Sequence, residues 1–262
     1  MARFLLILCL ATVMLMQAAN AGFVYDSTVV KIYPDTNGNA HVIERIELQI
    51  DDEASAKLYD ENIAITNDIT SWRTRTGISE LRYHINPNVA PITNLRVIPQ
   101  PKTRVNIIKP TYSAVLQIEY DAIGLFNRTQ VKARTYDCLL KKNALYFSFN
   151  SKNDVVLEET DHLYIILPEE VTVISVDPRA QNIDVLSSES REFFWRGKTI
   201  LQDFRFVYRY EESMRDEVES YFRGMREKAY AFASSTEGTY LAVMAVVMAV
   251  SFMLLKHRTR AK

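Results

Sequence analysis

The dominant pattern along the chain is an alternation of apolar and polar side chains. Between positions 40 and 50, Ala40, Val42, Ile46, Leu48 and Ile50 share one face, and His41, Arg45, Glu47 and Gln49 share the other. A period of two predicts a strand with one buried face. Glu44 is the mismatch, a carboxylate among the apolar positions. Residues 23–33 are also strand-like, and Pro34-Asp35-Thr36-Asn37-Gly38-Asn39 separates the two runs. Asn-Gly supplies the positive φ angles of a tight turn, so 23–50 reads as a β-hairpin.

The same period recurs at Tyr112, Ala114, Leu116, Ile118 and Tyr120. Short strands are expected at 81–85, 95–98 and 105–108, where Pro87, Pro91, Pro99, Pro101 and Pro110 keep them short or at an edge. Three further pairs are expected. They join 131–140 to 145–149, 163–167 to 171–176 across Pro168-Glu169-Glu170, and 193–195 to 204–210 across Arg196-Gly197-Lys198. Residues 51–77 are polar, with Ile63, Ile65, Ile69 and Trp72 as anchors, and read as a long loop with short strands. Strands do not alternate with long helices, which argues against a doubly wound parallel sheet. The expected class is mainly β, an antiparallel β-sandwich. It has one lobe or two. Leu116-Gln117-Ile118-Glu119-Tyr120 and Phe206-Val207-Tyr208-Arg209-Tyr210 end alike, which suggests lobes at 22–122 and 123–210, although chance likeness of two aromatic strands explains this equally well.

From Glu211 the period lengthens. Met214, Val218, Tyr221, Met225, Ala229 and Phe232 recur every three or four residues, and Glu211–Arg215 and Glu219–Arg223 are favourable helical pairs. This predicts an amphipathic stalk helix within 211–238, about 34 Å long. Its stripe needs a partner: the β domain, a membrane surface, or the same helix in a second copy, a homo-oligomer through 211–255. Residues 239–255 carry no charge and suit a transmembrane helix, and Lys256, Arg258, Arg260 and Lys262 in the tail 256–262 orient it with the C-terminus cytoplasmic. At the other end, Arg3, an apolar run at 4–16 and Ala19-Asn20-Ala21 make a secretory signal over 1–21. The expectation is a single-pass type I membrane protein with an extracellular or lumenal β domain.

Composition sharpens this picture once the ends are assigned. The whole chain of 262 residues has net charge −1. With Arg3 and the four tail cations set aside, 26 basic residues face 32 acidic ones, leaving the exported part at −6. Such a surface offers nothing to nucleic acid. With 7 glycines and no glycine-rich loop, a phosphate-binding fold is not expected.

Candidate chemistry is sparse. His41, His84, His162 and His257 form no metal-binding spacing, and His41 and Glu44 fall on opposite faces of one strand. Asp51-Asp52-Glu53 and Glu158, Glu159 and Asp161 read as solvated loops before calcium sites. No nucleophile elbow is present, so no catalytic, cofactor or metal residues are assigned. Cys138 is the one cysteine left after signal removal, either a buried thiol or half of an intermolecular disulfide. Asn127-Arg128-Thr129 is a glycosylation sequon.

The run from Tyr25-Asp26 to Asn37-Gly38-Asn39-Ala40-His41-Val42-Ile43-Glu44 resembles the opening of a prokaryotic, largely archaeal, family of uncharacterised membrane proteins. Leu116 to Tyr120 and Leu163-Tyr164-Ile165-Ile166-Leu167-Pro168 look similar too. The resemblance implies an exported N-terminal β domain and carries no catalytic residues. The functional expectation is a membrane-anchored binding or structural protein, not an enzyme, with an unknown protein or glycan ligand. The alternatives are an accessory subunit of a membrane complex and, third, an anchored enzyme of unfamiliar chemistry.

Overall fold

The hairpin that opens the chain forms as its pattern dictates. In the computed structural model, β1 (Phe23–Pro34) and β2 (Ala40–Ile50) pair antiparallel from Phe23–Ile50 to Pro34–Ala40. The structure describes residues 22–65, 68–106, 108–181 and 191–235, together with Tyr240 and Met244. The turn is built from its own side chains: Asp35 Oδ1 accepts from the backbone N–H groups of Asn37 and Asn39, each at 2.8 Å. Gly38 has φ +86°, and a Cβ there would lie 2.6 Å from the Phe126 carbonyl oxygen. Only glycine fits that approach.

The chain divides after Glu211 into two units. The first is mainly β. Its largest sheet has the order β12-β10-β1-β2-β5-β3, with β4 also on β5. The strands are β3 (Ile92–Pro99), β4 (Thr103–Arg104), β5 (Tyr112–Ala122), β10 (Asp161–Ile166) and β12 (Glu192–Arg196). A four-stranded sheet runs β11-β14-β7-β6, made of β6 (Phe126–Lys132), β7 (Thr135–Leu140), β11 (Val171–Asp177) and β14 (Arg205–Glu211). The third sheet joins β13 (Thr199–Leu201), β9 (Val155–Leu157) and β8 (Ser148–Phe149). One core cluster takes residues from all three, including Ile46 and Ile165, Cys138 and Phe206, and Leu157 and Leu201. Aromatic rings join β12 to β14 within it: Phe193 and Phe206 lie 5.3 Å apart edge to face.

Several expected pairings are replaced. β1 and β10 are parallel, with Thr28 opposite Asp161, so the sheets are not wholly antiparallel. That ladder joins residues on either side of the expected lobe boundary after 122, and both lie in the unit that ends at Glu211. The strands flanking Pro168 separate into different sheets, as do β12 and β14. β7 turns back on β6, not on 145–149. The stretch 81–85 is not a strand; it contributes a single bridge between Ile85 and Leu145.

The largest correction is at 51–77, which holds two helices, α1 (Glu53–Ile65) and α2 (Ile69–Thr76). Asp52 caps the first, accepting from the Ser55 N–H at 2.7 Å, and Asp68 caps the second, accepting from Ser71 N–H at 2.8 Å. Gly77, at φ +73°, ends α2 by donating to the Arg73 carbonyl. Tyr59 and Trp72 bring the helices together at 5.3 Å between rings, and the Tyr59 hydroxyl donates to the Gln100 carbonyl at 2.7 Å.

The second unit holds α3 (Met214–Ala233). Val218, Tyr221, Phe222, Met225, Tyr230 and Phe232 are all exposed on it. Among the described residues no helix is long and apolar enough to cross a membrane. The expected signal at 1–21 and tail at 256–262 lie outside the described residues, as does the expected span at 239–255 apart from Tyr240 and Met244.

Candidate functional site

Glu44, the odd residue in the β2 pattern, is the centre of the site. It faces the core and is wholly buried. A carboxylate taken out of water must be hydrogen-bonded, or its burial costs several kcal/mol, on the order of the penalty for an unpaired buried ion. Three donors meet it. The His84 backbone N–H and the His84 ring Nδ1 each lie 2.8 Å from its two oxygens, and the Tyr120 hydroxyl donates to Oε1.

Each donor is placed by the fold. Val42 pairs with Tyr120 and Glu44 with Ile118, so Glu44 and Tyr120 are diagonal neighbours on one face of the β2–β5 ladder. His84 comes from the segment 77–91, which lies over that face without a ladder of its own. Its backbone carbonyl accepts from Tyr146 N–H at 2.8 Å, and its ring rests on Phe147 at 4.7 Å. The carboxylate thus replaces the missing strand partner of this segment. Burial, then the Glu44 charge, drives the Tyr120 phenol well above its ordinary pKa and keeps it a donor. A proton on Nδ1 lets the His84 ring donate to the second Glu44 oxygen.

His84 also lines a cleft of about 280 Å³. Arg82 is the other basic residue in it, and Glu80, Glu158 and Asp161 are acidic. Tyr25, Ser79, Ser148 and Thr160 supply hydroxyls. The parallel β1–β10 ladder brings Tyr25 and Asp161 to the same end of the sheet. Tyr25 donates to Asp161 Oδ1 at 3.0 Å, and Glu158 N–H donates to Oδ2 at 3.0 Å. Burial, with the Asp161 charge adding, pushes the Tyr25 phenol up to about 12. Arg82 lies over the Tyr146 ring at 5.3 Å, and its buried Nε has no hydrogen-bond partner. Tyr25 and Asp161 are thus fixed as donor and acceptor, beside an Arg82 donor that has no protein partner. Such a surface suits a ligand whose own groups both donate and accept.

Asn127 is exposed on β6, opposite Leu139, and lines a separate hollow of about 400 Å³ with Lys142, Lys152 and Arg205. Its sequon is open to solvent. Cys138 is a free thiol fully buried in the core on β7, which agrees with the first of its two expected readings. His41 is apart from the site, on the outer face, 2.9 Å from Asp121. Among the described residues no group of three or more His, Cys, Asp and Glu is arranged to hold a metal ion. Asp52, from one suspected acidic loop, is occupied as a helix cap, and Asp161, from the other, is occupied by Tyr25.

Glu44 and His84 carried no motif. The usable signal was the break in alternation at Glu44, since a carboxylate on a core face requires partners. Nothing local names His84, which lies 40 residues away. No protein-family model matches the chain, and no curated protein matches it.

Proposed function

We propose that the chain is an exported, single-pass type I membrane protein whose β-sandwich domain binds a hydroxyl-rich ligand of the glycan class without chemically altering it. The supporting observation is the cleft beside His84, where Tyr25 and Asp161 hold each other and Arg82 lies over the Tyr146 ring with its buried Nε unpartnered. Sugar hydroxyls donate and accept at once. They match a wall that combines three carboxylates, a guanidinium, one phenol and three aliphatic hydroxyls. Residues 1–21 direct export, 239–255 anchor the domain, and the chain groups with the prokaryotic membrane proteins that its first hairpin resembles.

The test is binding of the detergent-purified full chain to an immobilised panel of polysaccharides and peptides. Binding to at least one glycan is expected, weakened about tenfold or more by Arg82→Ala or Asp161→Asn, the order of one charged hydrogen bond. A glycan bond cleaved by the wild type and not by His84→Ala would contradict the non-catalytic reading. A second reading is supported by the exposed apolar residues of α3: residues 211–255 assemble copies of this chain, or join it to a membrane complex. Native mass measurement in detergent separates it from the first, because a lone monomer counts against it.

A further inference from the structure

We infer that removal of the leader after Ala21 creates a docked N-terminus, in which the α-ammonium of Gly22 seats on the Asp52 carboxylate and the Ser55 hydroxyl at the start of α1. The inference rests on the reading of 1–21 as a removed export signal. Hydrolysis of the Ala21–Gly22 amide by a leader peptidase adds one water across the C–N bond. The leader departs with the Ala21 carboxylate, and Gly22 keeps the nitrogen, which is an ammonium at neutral pH.

The receiving geometry already exists. Gly22 N lies 2.8 Å from Ser55 Oγ, and the Gly22 carbonyl accepts from Asp51 N–H at 2.8 Å. The Ser55 hydroxyl donates onward to Asp52 Oδ2 at 2.9 Å. A Cβ on residue 22 would lie 2.1 Å from Asp52 Oδ2, so a larger residue here would push the Asp52 carboxylate aside. The N–H groups of Ser55, Ala54 and Gly22, with the Ser55 hydroxyl, hold the Asp52 carboxyl below its ordinary pKa. Asp51, Asp52 and Glu53 put three carboxylates in a row here. A peptide N–H offers one donor and no charge. An ammonium offers three donors and the missing positive charge, so processing strengthens a contact that the unprocessed chain makes only weakly. Phe23, next in line, is buried and pairs with Ile50, which fixes the terminus from its other side.

The test uses the full chain, made with its leader in a secreting host and purified in detergent. Intact mass and peptide mapping should place the first residue at Gly22. Acylation of that α-amine at pH 7.5 should be about tenfold slower than in Asp52→Asn, the effect of pairing worth about one pKa unit. Asparagine is itself a good cap, so α1 survives in the variant. The two rates should converge in urea. A mature chain that starts elsewhere overturns both the processing and the docking. A chain that starts at Gly22 and acylates as fast as Asp52→Asn overturns the docking alone and leaves export standing.

Discussion

Replacing Glu44 with alanine removes the one acceptor shared by the His84 N–H, the His84 ring and the Tyr120 hydroxyl. All three stay buried, because Tyr120 is 0% exposed and His84 is 4% exposed. A buried donor without a partner costs about 1–3 kcal/mol, and three donors lose their acceptor at once here. The segment 77–91 relaxes somewhat, so about 4 kcal/mol is expected for Glu44→Ala. For a unit of this size, each kcal/mol moves the melting temperature by about 2–4 °C, giving a loss near 10 °C. Tyr120→Phe deletes one donor and leaves Glu44 two others, so it should cost about 1.5 kcal/mol. The decisive quantity is the coupling. In the Glu44→Ala background, Tyr120→Phe should cost little, because the orphaned hydroxyl disappears with it. Tryptophan fluorescence is a suitable reporter, since the chain has 2 tryptophans and both Trp72 and Trp195 are fully buried in the β unit. Thermal and urea unfolding of the four species would give the cycle. A Glu44→Ala shift under about 2 °C, or additive effects of the two substitutions, would refute the role given to this carboxylate.

Three other outcomes follow from separate parts of the fold. Gly38→Ala should cost about 2 kcal/mol or more, combining left-handed backbone strain with the approach to Phe126, whereas Gly224→Ala in α3, where a Cβ meets nothing, should be neutral or slightly stabilising; urea midpoints compare them. Hydrogen bonds from Ser55, Ala54 and Gly22 depress the Asp52 pKa in the folded state, so its contribution is present above the ordinary carboxylate pKa and is lost as pH falls through the folded value. Acid unfolding below about pH 4 should therefore be less steep in Asp52→Asn. Burial also pushes the Cys138 thiol up, so a maleimide at pH 7 should leave it unlabelled until denaturant is added; rapid labelling of the native protein would contradict its place in the core.

The parts of this fold that could be read from the sequence are those whose evidence is local. The β1–β2 hairpin carries its alternation and its Asn37-Gly38 turn in one continuous stretch, and β5 shows its face at every second residue. α1 and α2 were equally local, with Asp52 and Ser55, Asp68 and Ser71, and Gly77 standing at cap positions, but isoleucines among polar residues resemble a loop when the caps are not weighed. Strand partners are different. Nothing in Thr28 or Asp161 announces that they will lie side by side in parallel. The chain's aromatic strands suit either sheet, so Pro168-Glu169-Glu170 could equally close a hairpin or carry the chain from one sheet to another. The site follows the same division: Glu44 showed itself as a fault in a pattern, while His84 and the cleft depend on contacts that only the assembled core makes.

Export and anchoring underlie both the binding proposal and the docked terminus, and protease protection addresses them directly. Intact cells, or sealed vesicles oriented with the exported face outward, should lose residues 22–235 of the full chain to protease added from outside. A small membrane-held fragment containing 239–262 should remain, its basic tail cut only after the membrane is opened. A β unit that resists digestion until the membrane is opened, or a full chain released from membranes by salt or alkaline washing, would contradict this orientation and anchoring.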